Sequence, residues 1–302
     1  MLKYVSINGK VIEVLHKGDK GSTLLILTGM GCSFDEWDKV TEILGKNYKV
    51  IMFHRPGLGN SEIGSETRNT EVSSREIIEL LNCLGVKEPI LLVGHSYGGL
   101  CAQHFVKLYP ELVAGMLLVD STSVVLRKLD ELDLPILNDE STDEVWKEKC
   151  KHYSKMRSED LKQLLNPTVT EKQQQLSPRI QERLIEFQIN PNLYKAMKSE
   201  IENWKRDAEI IKDLGSFPNI PLIVIGRDKN YNISLGINEG IPEPEIKIFE
   251  EEWHKLIKEQ ALLSRNSTLI FADQSTHSIH LDNPEVIIES INRISVQIRT
   301  FV

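Results

Sequence analysis

Residues 90–99 place a serine where its hydroxyl could act as a nucleophile. Ser96 lies between Gly94 and Gly98 in a Gly-x-Ser-x-Gly sequence, after a short apolar run and before a stretch compatible with a helix. In a strand–turn–helix context, this sequence sets the serine on a strained turn, and the flanking glycines avoid clashes with the strand and the helix. A glycine-rich loop that only connects a strand to a helix is the alternative. The surrounding pattern favours a nucleophilic serine.

A serine hydroxyl at neutral pH needs a base, and the base needs a carboxylate that fixes its tautomer. His277 follows the last predicted strand and is the candidate base. Three carboxylates also come just after predicted strands, namely Asp120, Asp228 and Asp273. Asp228 lies in a glycine-containing loop that allows a turn toward the site, and we predict that it orients His277. Asp120 is the alternative acid, and Asp273 is assigned to the turn before the histidine.

Two backbone amides are candidates for an oxyanion hole, which must stabilise the charge that develops on a substrate carbonyl oxygen. The N–H of Tyr97 comes directly after the candidate nucleophile. The N–H of Met30 lies in a turn after the predicted strand 23–27, with glycine on both sides. Glycine at these positions allows the backbone to approach a substrate closely.

Apolar runs and helical spacing alternate along the chain and predict the elements that would position these groups. Strands are predicted at 4–7, 10–15, 23–27, 48–53, 89–93, 113–119, 221–225 and 268–272. Helices are predicted at 35–44, 73–84, 100–109, 244–263 and 284–298. The interior strands are apolar throughout, which is typical of strands covered on both faces. The pattern predicts an α/β fold with a mostly parallel central sheet flanked by helices, and a hairpin at Asn8-Gly9 adds antiparallel strands at one edge.

Residues 121–217 interrupt this alternation, because they contain amphipathic patches and no convincing strand. We interpret them as helices inserted into an α/β core formed by residues 1–120 and 218–302. The insertion is either a surface appendage or a helical cap over the strand ends, where open α/β sheets bind ligands. If it is a cap, Trp146 or Phe187 could line the substrate pocket, or both could anchor a small core of the insertion itself.

Composition restricts the class of protein. The chain has 302 residues, of which 26% are charged and 40% hydrophobic, and its net charge is −8. This charge argues against a nucleic-acid partner. No apolar run has the length of a membrane span, and the first residues lack a signal-peptide pattern. The four cysteines have no metal-binding spacing, so we expect a reducing, cytoplasmic location.

The motifs together resemble the α/β-hydrolase fold family. Gly-His-Ser-Tyr-Gly-Gly at 94–99 is similar to its nucleophile elbow, and Arg-Pro-Gly-Leu-Gly-Asn-Ser at 55–61 is similar to the loop after its fourth strand. His-Ser-Ile-His-Leu-Asp-Asn-Pro at 277–284 resembles its histidine loop. The order Ser96, Asp228, His277 is also the order of the family's triad. The resemblance implies a cap at the insertion, and it favours the acid position after it, although some relatives use the position of Asp120.

Two positions depart from the family's usual pattern. The oxyanion turn often begins with His-Gly, and here it reads Thr28-Gly29. This change affects the hydrogen bonds that support the turn, not its backbone donors. The loop after the fourth strand usually begins with Asp, and here it begins with His54, which we interpret as structural. The pair His277 and His280 matches no common metal motif, so we expect His280 to pack in the loop or to support His277.

These features predict a serine hydrolase that cleaves a small ester, amide or thioester through an acyl-enzyme, with a small acyl compound as its substrate, without a nucleic-acid partner and with no metal or organic cofactor. Perhydrolysis, carbon–carbon bond hydrolysis and acyl transfer use the same triad and stay open as alternatives. A ligand receptor or signalling protein with very slow turnover is an alternative from another class. The resemblance also includes dehalogenases and epoxide hydrolases, but these use a carboxylate nucleophile, and Ser96 argues against them.

Overall fold

A sheet of eight strands forms the centre of the molecule. The computed structural model describes residues 1–300, without the side chains of residues 140, 141, 299 and 300. The strands are β1 (Leu2–Ile7), β2 (Lys10–Lys17), β3 (Thr23–Leu27), β4 (Lys49–Phe53), β5 (Ile90–His95), β6 (Val113–Val119), β7 (Leu222–Gly226) and β8 (Ser267–Phe271). They lie side by side in the order β1-β2-β4-β3-β5-β6-β7-β8.

All pairs from β4 to β8 in this order are parallel, whereas β1 pairs antiparallel with β2, and β2 antiparallel with β4. The turn between β1 and β2 has positive φ angles at Asn8 and Gly9, as a tight hairpin requires. The predicted α/β fold, with a mostly parallel sheet and an antiparallel hairpin at one edge, is therefore confirmed. The carboxyl ends of the parallel strands meet at one edge of the sheet, where ligands bind in open α/β folds.

Helices cover both faces of the sheet and fill the insertion. They are α1 (Asp38–Leu44), α2 (Thr70–Cys83), α3 (Tyr97–Leu108), α4 (Pro135–Ser141), α5 (Asp143–Tyr153), α6 (Ser158–Leu165), α7 (Pro178–Gln188), α8 (Pro191–Asp213), α9 (Lys229–Asn238), α10 (Glu243–Gln260), α11 (Ile279–Asp282) and α12 (Pro284–Thr300). Short 3₁₀ helices lie at Phe34–Trp37, Pro110–Leu112, Leu126–Leu129 and Gln173–Gln175. The helix α9 is an addition to the predicted pattern, and it begins directly after β7.

The sheet separates two large apolar clusters. In β3, Leu25 and Leu27 belong to one cluster, and Leu24 and Ile26 belong to the other. Successive side chains of a strand point to opposite faces, so an apolar run such as β3 contributes to both clusters. This is the physical reason why the interior strands are apolar throughout, and it fixes the sheet rigidly beneath the loops at its carboxyl edge.

The segment between β6 and β7 holds α4 to α8. An apolar cluster of its own includes Cys150, Leu161, Phe187 and Leu193, and it also takes in Leu58 from the loop after β4. The last part of α8 packs into the core cluster of the sheet as well. None of the described helices is both long and apolar enough to span a bilayer.

Candidate active site

The turn between β5 and α3 holds Ser96 in a strained backbone conformation, with φ 53° and ψ −125°. Such angles are unfavourable for a residue with a Cβ atom, and they are found where the surrounding structure imposes them. The helix after the turn lies directly against β3, since a Cβ added at Gly98 would lie 2.3 Å from the carbonyl oxygen of Leu27. The turn therefore has the form expected of a nucleophile elbow, and the nucleophilic role of Ser96 stays a prediction.

The loop after β8 carries His277, whose ring meets the carboxylate of Asp120. His277 Nδ1 lies 2.6 Å from Asp120 Oδ2. An ionised carboxylate only accepts hydrogen bonds, so Nδ1 carries the proton and Nε2 keeps a lone pair that can accept one. The ring of His95, the residue before Ser96, lies 4.8 Å from the His277 ring between centroids. His277 is therefore in the tautomer of a general base and lies beside the elbow.

Asp120 is held as an anion by groups from the loop after β7, from α10 and from the loop after β8. Burial opposes ionisation of its carboxyl group, but Arg227 and hydrogen bonds from His277 and Trp253 lower its pKa to about 2. The indole Nε1 of Trp253 donates to Oδ1 at 2.9 Å, and the backbone N–H of Arg227 donates to the same oxygen at 3.1 Å. Arg227 also pairs with Glu250 at 2.6 Å. The negative charge of Asp120 is therefore present at neutral pH, where it can stabilise a protonated His277.

The structure contradicts the predicted acid, because the carboxylate of Asp228 accepts hydrogen bonds from groups other than His277. Its Oδ1 accepts a hydrogen bond from the N–H of Tyr231 at 3.1 Å and caps α9, and its Oδ2 accepts one from the N–H of Gln274 at 3.1 Å. Aspartate is among the preferred residues at a helix N-cap. The prediction that Asp228 orients His277 is wrong, and the alternative, Asp120 at the end of β6, makes the contact.

The turn after β3 approaches the elbow at Gly29. A Cβ added at this position would lie 3.1 Å from the Cβ of Ser96, so the two backbones come into close contact. The hydroxyl of Thr28 donates to the carbonyl oxygen of Cys32 at 3.0 Å and closes the turn. Thr28, which occupies the position where the family often has histidine, therefore also supplies a side-chain hydrogen bond that supports the turn.

The two amides predicted to form the oxyanion hole lie next to the close approach of Gly29 to Ser96. The N–H of Tyr97 is the first amide of α3, and the first amides of a helix have no acceptor within it. The N–H of Met30 belongs to the peptide group that follows Gly29. Both amides lie on the segments that flank Ser96, and their role toward a substrate stays a prediction.

Two further histidines support the loop that carries His277. His95 Nε2 lies 2.9 Å from the carbonyl oxygen of His277, so it donates and fixes that backbone. Burial, together with His277 and His280, holds the pKa of His95 well below its usual range, so this ring is neutral. His280 stacks on Trp37 with ring centroids 4.6 Å apart. Among the side chains that the structure describes, no group of three or more His, Cys, Asp or Glu residues is arranged to hold a metal ion.

The other departure, His54, lies in a buried polar network that joins the sheet to the insertion. Its Nε2 accepts a hydrogen bond from the N–H of Phe34 at 3.2 Å, so its Nδ1 carries the proton and donates to Glu13 Oε2 at 2.8 Å. Arg183 of α7 contacts the second oxygen of Glu13 at 3.0 Å and Asp35 at 2.9 Å. The interpretation of His54 as a structural residue agrees with these contacts.

This network predicts a dependence of stability on pH. Burial would raise the pKa of Glu13, but hydrogen bonds from His54, Asn60 and Arg183 outweigh it and hold the pKa at about 2. A carboxyl with a lowered pKa in the folded state stabilises the fold above its unfolded pKa, and that stabilisation is lost as pH falls through the folded value. The free energy of unfolding, measured in urea, should therefore fall between about pH 4.5 and pH 2.

The matched variants are Glu13→Gln and the exposed Glu239→Gln. Glu13→Gln should lower the free energy of unfolding at pH 7 by about 1–3 kcal/mol, because it removes the buried carboxylate charge that pairs with His54 and Arg183, while Arg183 keeps its contact with Asp35 at 2.9 Å. It should also flatten the decline below pH 4.5, whereas Glu239→Gln should retain it. Parallel pH profiles for all three proteins would contradict the assignment.

The aromatic residues of the insertion differ in their surroundings. Phe187 is buried in the insertion's own cluster and lies 5.3 Å from the ring of His54, which agrees with the anchoring alternative. Trp146 is 40% exposed. Trp204 of α8 and Trp253 of α10 instead both line a small apolar cavity of about 30 Å³. The other residues that line this cavity are Ser121, Thr122, Ser123, Leu126, Leu129 and Leu256.

The residues that surround Asp120 were not identified from the sequence. Arg227 lies in a loop with no signal of its own, and Trp253 lies in a helix whose amphipathic pattern does not distinguish it from a core residue. A helix N-cap signal at Asp228 was available, since an aspartate precedes the helical stretch 229–238. That signal would have indicated that the side chain of Asp228 is engaged at a helix end.

Two relatives of this chain stand out in sequence comparisons. An uncharacterised protein, YqjL, from Bacillus subtilis (strain 168) is 24% identical over 288 residues, which cover 95% of this chain and 89% of that protein. A pimeloyl-[acyl-carrier protein] methyl ester esterase from Wigglesworthia glossinidia brevipalpis is 29% identical over 113 residues, which cover 37% of this chain and 41% of the esterase.

Comparison with solved structures and with family profiles identifies the fold. The enol-lactonase from Burkholderia xenovorans LB400 superposes with a TM-score of 0.67 at 14% identity, over 97% of this chain and 99% of the lactonase, which shows the same fold. The profile of the family described as α/β hydrolase fold matches residues 22–202. This match spans more than half of the sequence and contains both the oxyanion turn and the elbow, and the chain therefore belongs to the α/β-hydrolase fold family.

Proposed function

We propose that this protein is a serine hydrolase that cleaves a small ester, amide or thioester through an acyl-enzyme on Ser96. The observation that carries the proposal is the 2.6 Å contact between His277 Nδ1 and Asp120 Oδ2 beside the strained turn at Ser96. It gives the histidine the tautomer that a general base needs. Membership of the α/β-hydrolase fold family supports hydrolysis as the class of reaction.

Acylation begins when Ser96 Oγ attacks the substrate carbonyl. His277 Nε2 takes the hydroxyl proton, and the buried charge of Asp120 stabilises the imidazolium. The substrate oxygen becomes an oxyanion, which accepts hydrogen bonds from the N–H groups of Met30 and Tyr97. His277 then returns the proton to the leaving group, and the carbonyl–leaving group bond breaks to give the acyl-enzyme.

Deacylation repeats these steps with water. His277 takes a proton from the water molecule, the resulting hydroxide attacks the acyl carbonyl, and the same amides stabilise the second oxyanion. Collapse of this intermediate releases the acid, and the proton on His277 returns to Ser96. Every proton transfer in the cycle uses one histidine, so the contact between His277 and Asp120 matters in both halves.

The proposal assigns the insertion at 121–217 the role of a cap that limits the size of the substrate. Its support is the apolar cavity between Trp204 and Trp253, together with the edge-on contact of Trp253 with the His277 ring at 5.7 Å. A cavity of about 30 Å³ has the space of about one water molecule. We therefore propose a short apolar acyl or alkyl group beside the reacting carbonyl.

The comparisons support a carboxylic ester or lactone among the bonds considered. One relative is named as a methyl ester esterase, and one structural neighbour is named as an enol-lactonase. Both names describe carbonyl–oxygen bonds. Ser96 occupies the nucleophile position here, so the proposal does not extend to reactions that start from a carboxylate nucleophile.

The experiment that tests the function is covalent labelling with a fluorophosphonate, followed by mass spectrometry of the peptides and by turnover of an ester panel from acetate to octanoate. We expect one phosphonyl adduct on Ser96 and measurable hydrolysis of the shorter esters. An adduct on another residue, or no adduct together with no turnover, would refute the proposal.

Trp204→Ala is expected to shift the acyl preference toward longer chains, because removal of the indole enlarges the cavity. Burial of one more methylene group contributes about 0.8 kcal/mol, so kcat/KM should rise about fourfold per methylene that the enlarged cavity accepts. The measurement is kcat/KM across the ester panel, and Trp146→Ala is the matched control because its indole is exposed. The same chain-length profile in both variants would exclude this cavity as the acyl pocket.

A further inference from the structure

A buried ion pair connects the insertion to the turn that carries the predicted oxyanion amide. Glu200 of α8 and Arg55 of the loop after β4 are each at most 2% exposed. Arg55 Nε donates to Glu200 Oε1 at 2.8 Å, and Arg55 Nη2 donates to Oε2 at 3.3 Å. Burial opposes the charge on Arg55, but Glu200 outweighs it and raises the pKa of the guanidinium above its usual range. One edge of the guanidinium is thus fixed by the insertion.

The rest of the guanidinium holds two successive carbonyl groups of the turn after β3. Arg55 Nη1 donates to the carbonyl oxygen of Thr28 at 2.7 Å, and Nη2 donates to that of Gly29 at 3.0 Å. The carbonyl of Gly29 and the N–H of Met30 belong to one planar trans peptide, so they point in opposite directions. By holding the carbonyl, Arg55 directs the Met30 N–H away from itself.

The second predicted oxyanion amide also lies on a residue that Arg55 contacts. The guanidinium carbon lies 5.2 Å from the centre of the Tyr97 ring, which is within the range of a cation–π contact. Arg55 therefore touches the peptide before Met30 and the side chain of Tyr97. Of the two amides, that of Met30 is the one whose own peptide group Arg55 holds.

The helix α8 is seated closely on the two loops that this pair connects. A Cβ added at Gly31 would lie 2.7 Å from Met197 Sδ, and one added at Gly57 would lie 2.8 Å from the Cβ of Ala196. Met197 and Glu200 are three residues apart and therefore lie on the same face of the helix. That face rests on the oxyanion turn, and Glu200 is its charged contact.

We propose that Glu200 is a positioning residue for the oxyanion hole, which acts through Arg55 and makes the geometry of the Met30 amide depend on the seating of α8. This inference rests on the proposed function, since it concerns the stabilisation of an oxyanion formed at Ser96. Stabilisation of this kind acts in the transition state, so its loss lowers kcat and leaves substrate binding nearly unchanged.

The test compares Glu200→Gln with Glu200→Asp and with the control Glu202→Gln. Glu202 lies on the same helix, is 44% exposed and pairs with Lys198 at the surface. Loss of one oxyanion donor costs about 10²–10³ in kcat. We expect Glu200→Gln to lower kcat by at least about tenfold with KM within about twofold, Glu200→Asp to recover part of this loss, and Glu202→Gln to match the unaltered protein.

A double variant covers the case in which Glu200→Gln fails to fold. Breaking one half of a buried ion pair destabilises strongly, whereas apolar replacement of both partners is often neutral. Arg55→Met combined with Glu200→Leu should therefore fold and still lose kcat, because no cation holds the carbonyls of Thr28 and Gly29. Folding is measured by thermal unfolding and near-ultraviolet circular dichroism.

The rate of phosphonylation by the fluorophosphonate separates this inference from the proposed function. Slower labelling of Ser96 in the folded Glu200 variants, with rapid labelling in the unaltered protein, supports the inference. Unchanged labelling and unchanged kcat in a folded Glu200 variant overturn it and leave the serine hydrolase in place. A lack of labelling at Ser96 in the unaltered protein overturns both.

Discussion

Ser96→Ala is expected to abolish hydrolysis, with a fall in kcat of about six orders of magnitude if the triad acts as a unit. The alanine lacks the oxygen that attacks the carbonyl, and it occupies the same turn without a larger side chain. Fluorophosphonate labelling at this position should disappear as well. The measurements are turnover of a short ester and mass spectrometry of the labelled protein.

The control for this variant is Ser234→Ala, which removes a hydroxyl from the exposed surface of α9. Both variants should unfold at nearly the temperature of the unaltered protein, so that the loss of activity in Ser96→Ala reports chemistry and not folding. If Ser96→Ala still turns over the ester at a comparable rate, another residue is the nucleophile.

Asp120→Asn is expected to reduce turnover by up to about four orders of magnitude, the size of the effect in a well-studied triad of this kind. The amide is nearly isosteric with the carboxylate, but its NH₂ group faces His277 Nδ1 and favours the tautomer with the proton on Nε2. That tautomer cannot take the proton of Ser96. The amide oxygen can still accept the hydrogen bond from Trp253, and Arg227 keeps its pair with Glu250 at 2.6 Å, so the fold should persist.

Asp228→Asn under the same conditions is the matched control. Asparagine is as good an N-cap as aspartate, so α9 should stay capped and turnover should stay near that of the unaltered protein. The reverse outcome, a collapse in Asp228→Asn and normal turnover in Asp120→Asn, would return the acid to Asp228. The pair of variants therefore decides between two carboxylates that end neighbouring strands.

Local sequence patterns were sufficient to predict the fold and part of the candidate site. The two-sided burial of the interior strands makes them apolar throughout, and the glycines around Ser96 reflect a close approach of α3 to β3. Both constraints act within a few residues of each position. The α/β fold with its mostly parallel sheet and the turn at Ser96 could for this reason be predicted, and so could the position of His277 in a loop at the same edge of the sheet.

The choice of acid could not be settled in this way, because Asp120 and Asp228 both follow parallel strands and both could reach the histidine. The tertiary structure decides between them by the groups that it places against each carboxylate. Asp228 is engaged by the N–H groups of Tyr231 and Gln274, whereas Asp120 is buried against Arg227 and Trp253. The carboxylate that lies against the ring is that of Asp120, whose Oδ2 is 2.6 Å from His277 Nδ1.

The sequence by itself determined the strands, most helices of the core and the chemical types at their ends, since periodicity and turn residues are local properties. Only the tertiary structure decided which distant side chains meet. Arg55 and Glu200 are 145 positions apart, and Trp204 of the insertion and Trp253 of a core helix line the same cavity. Neither pair leaves a local signal, because a buried ion pair or a shared cavity wall depends on the packing of whole helices and not on the spacing of residues within one.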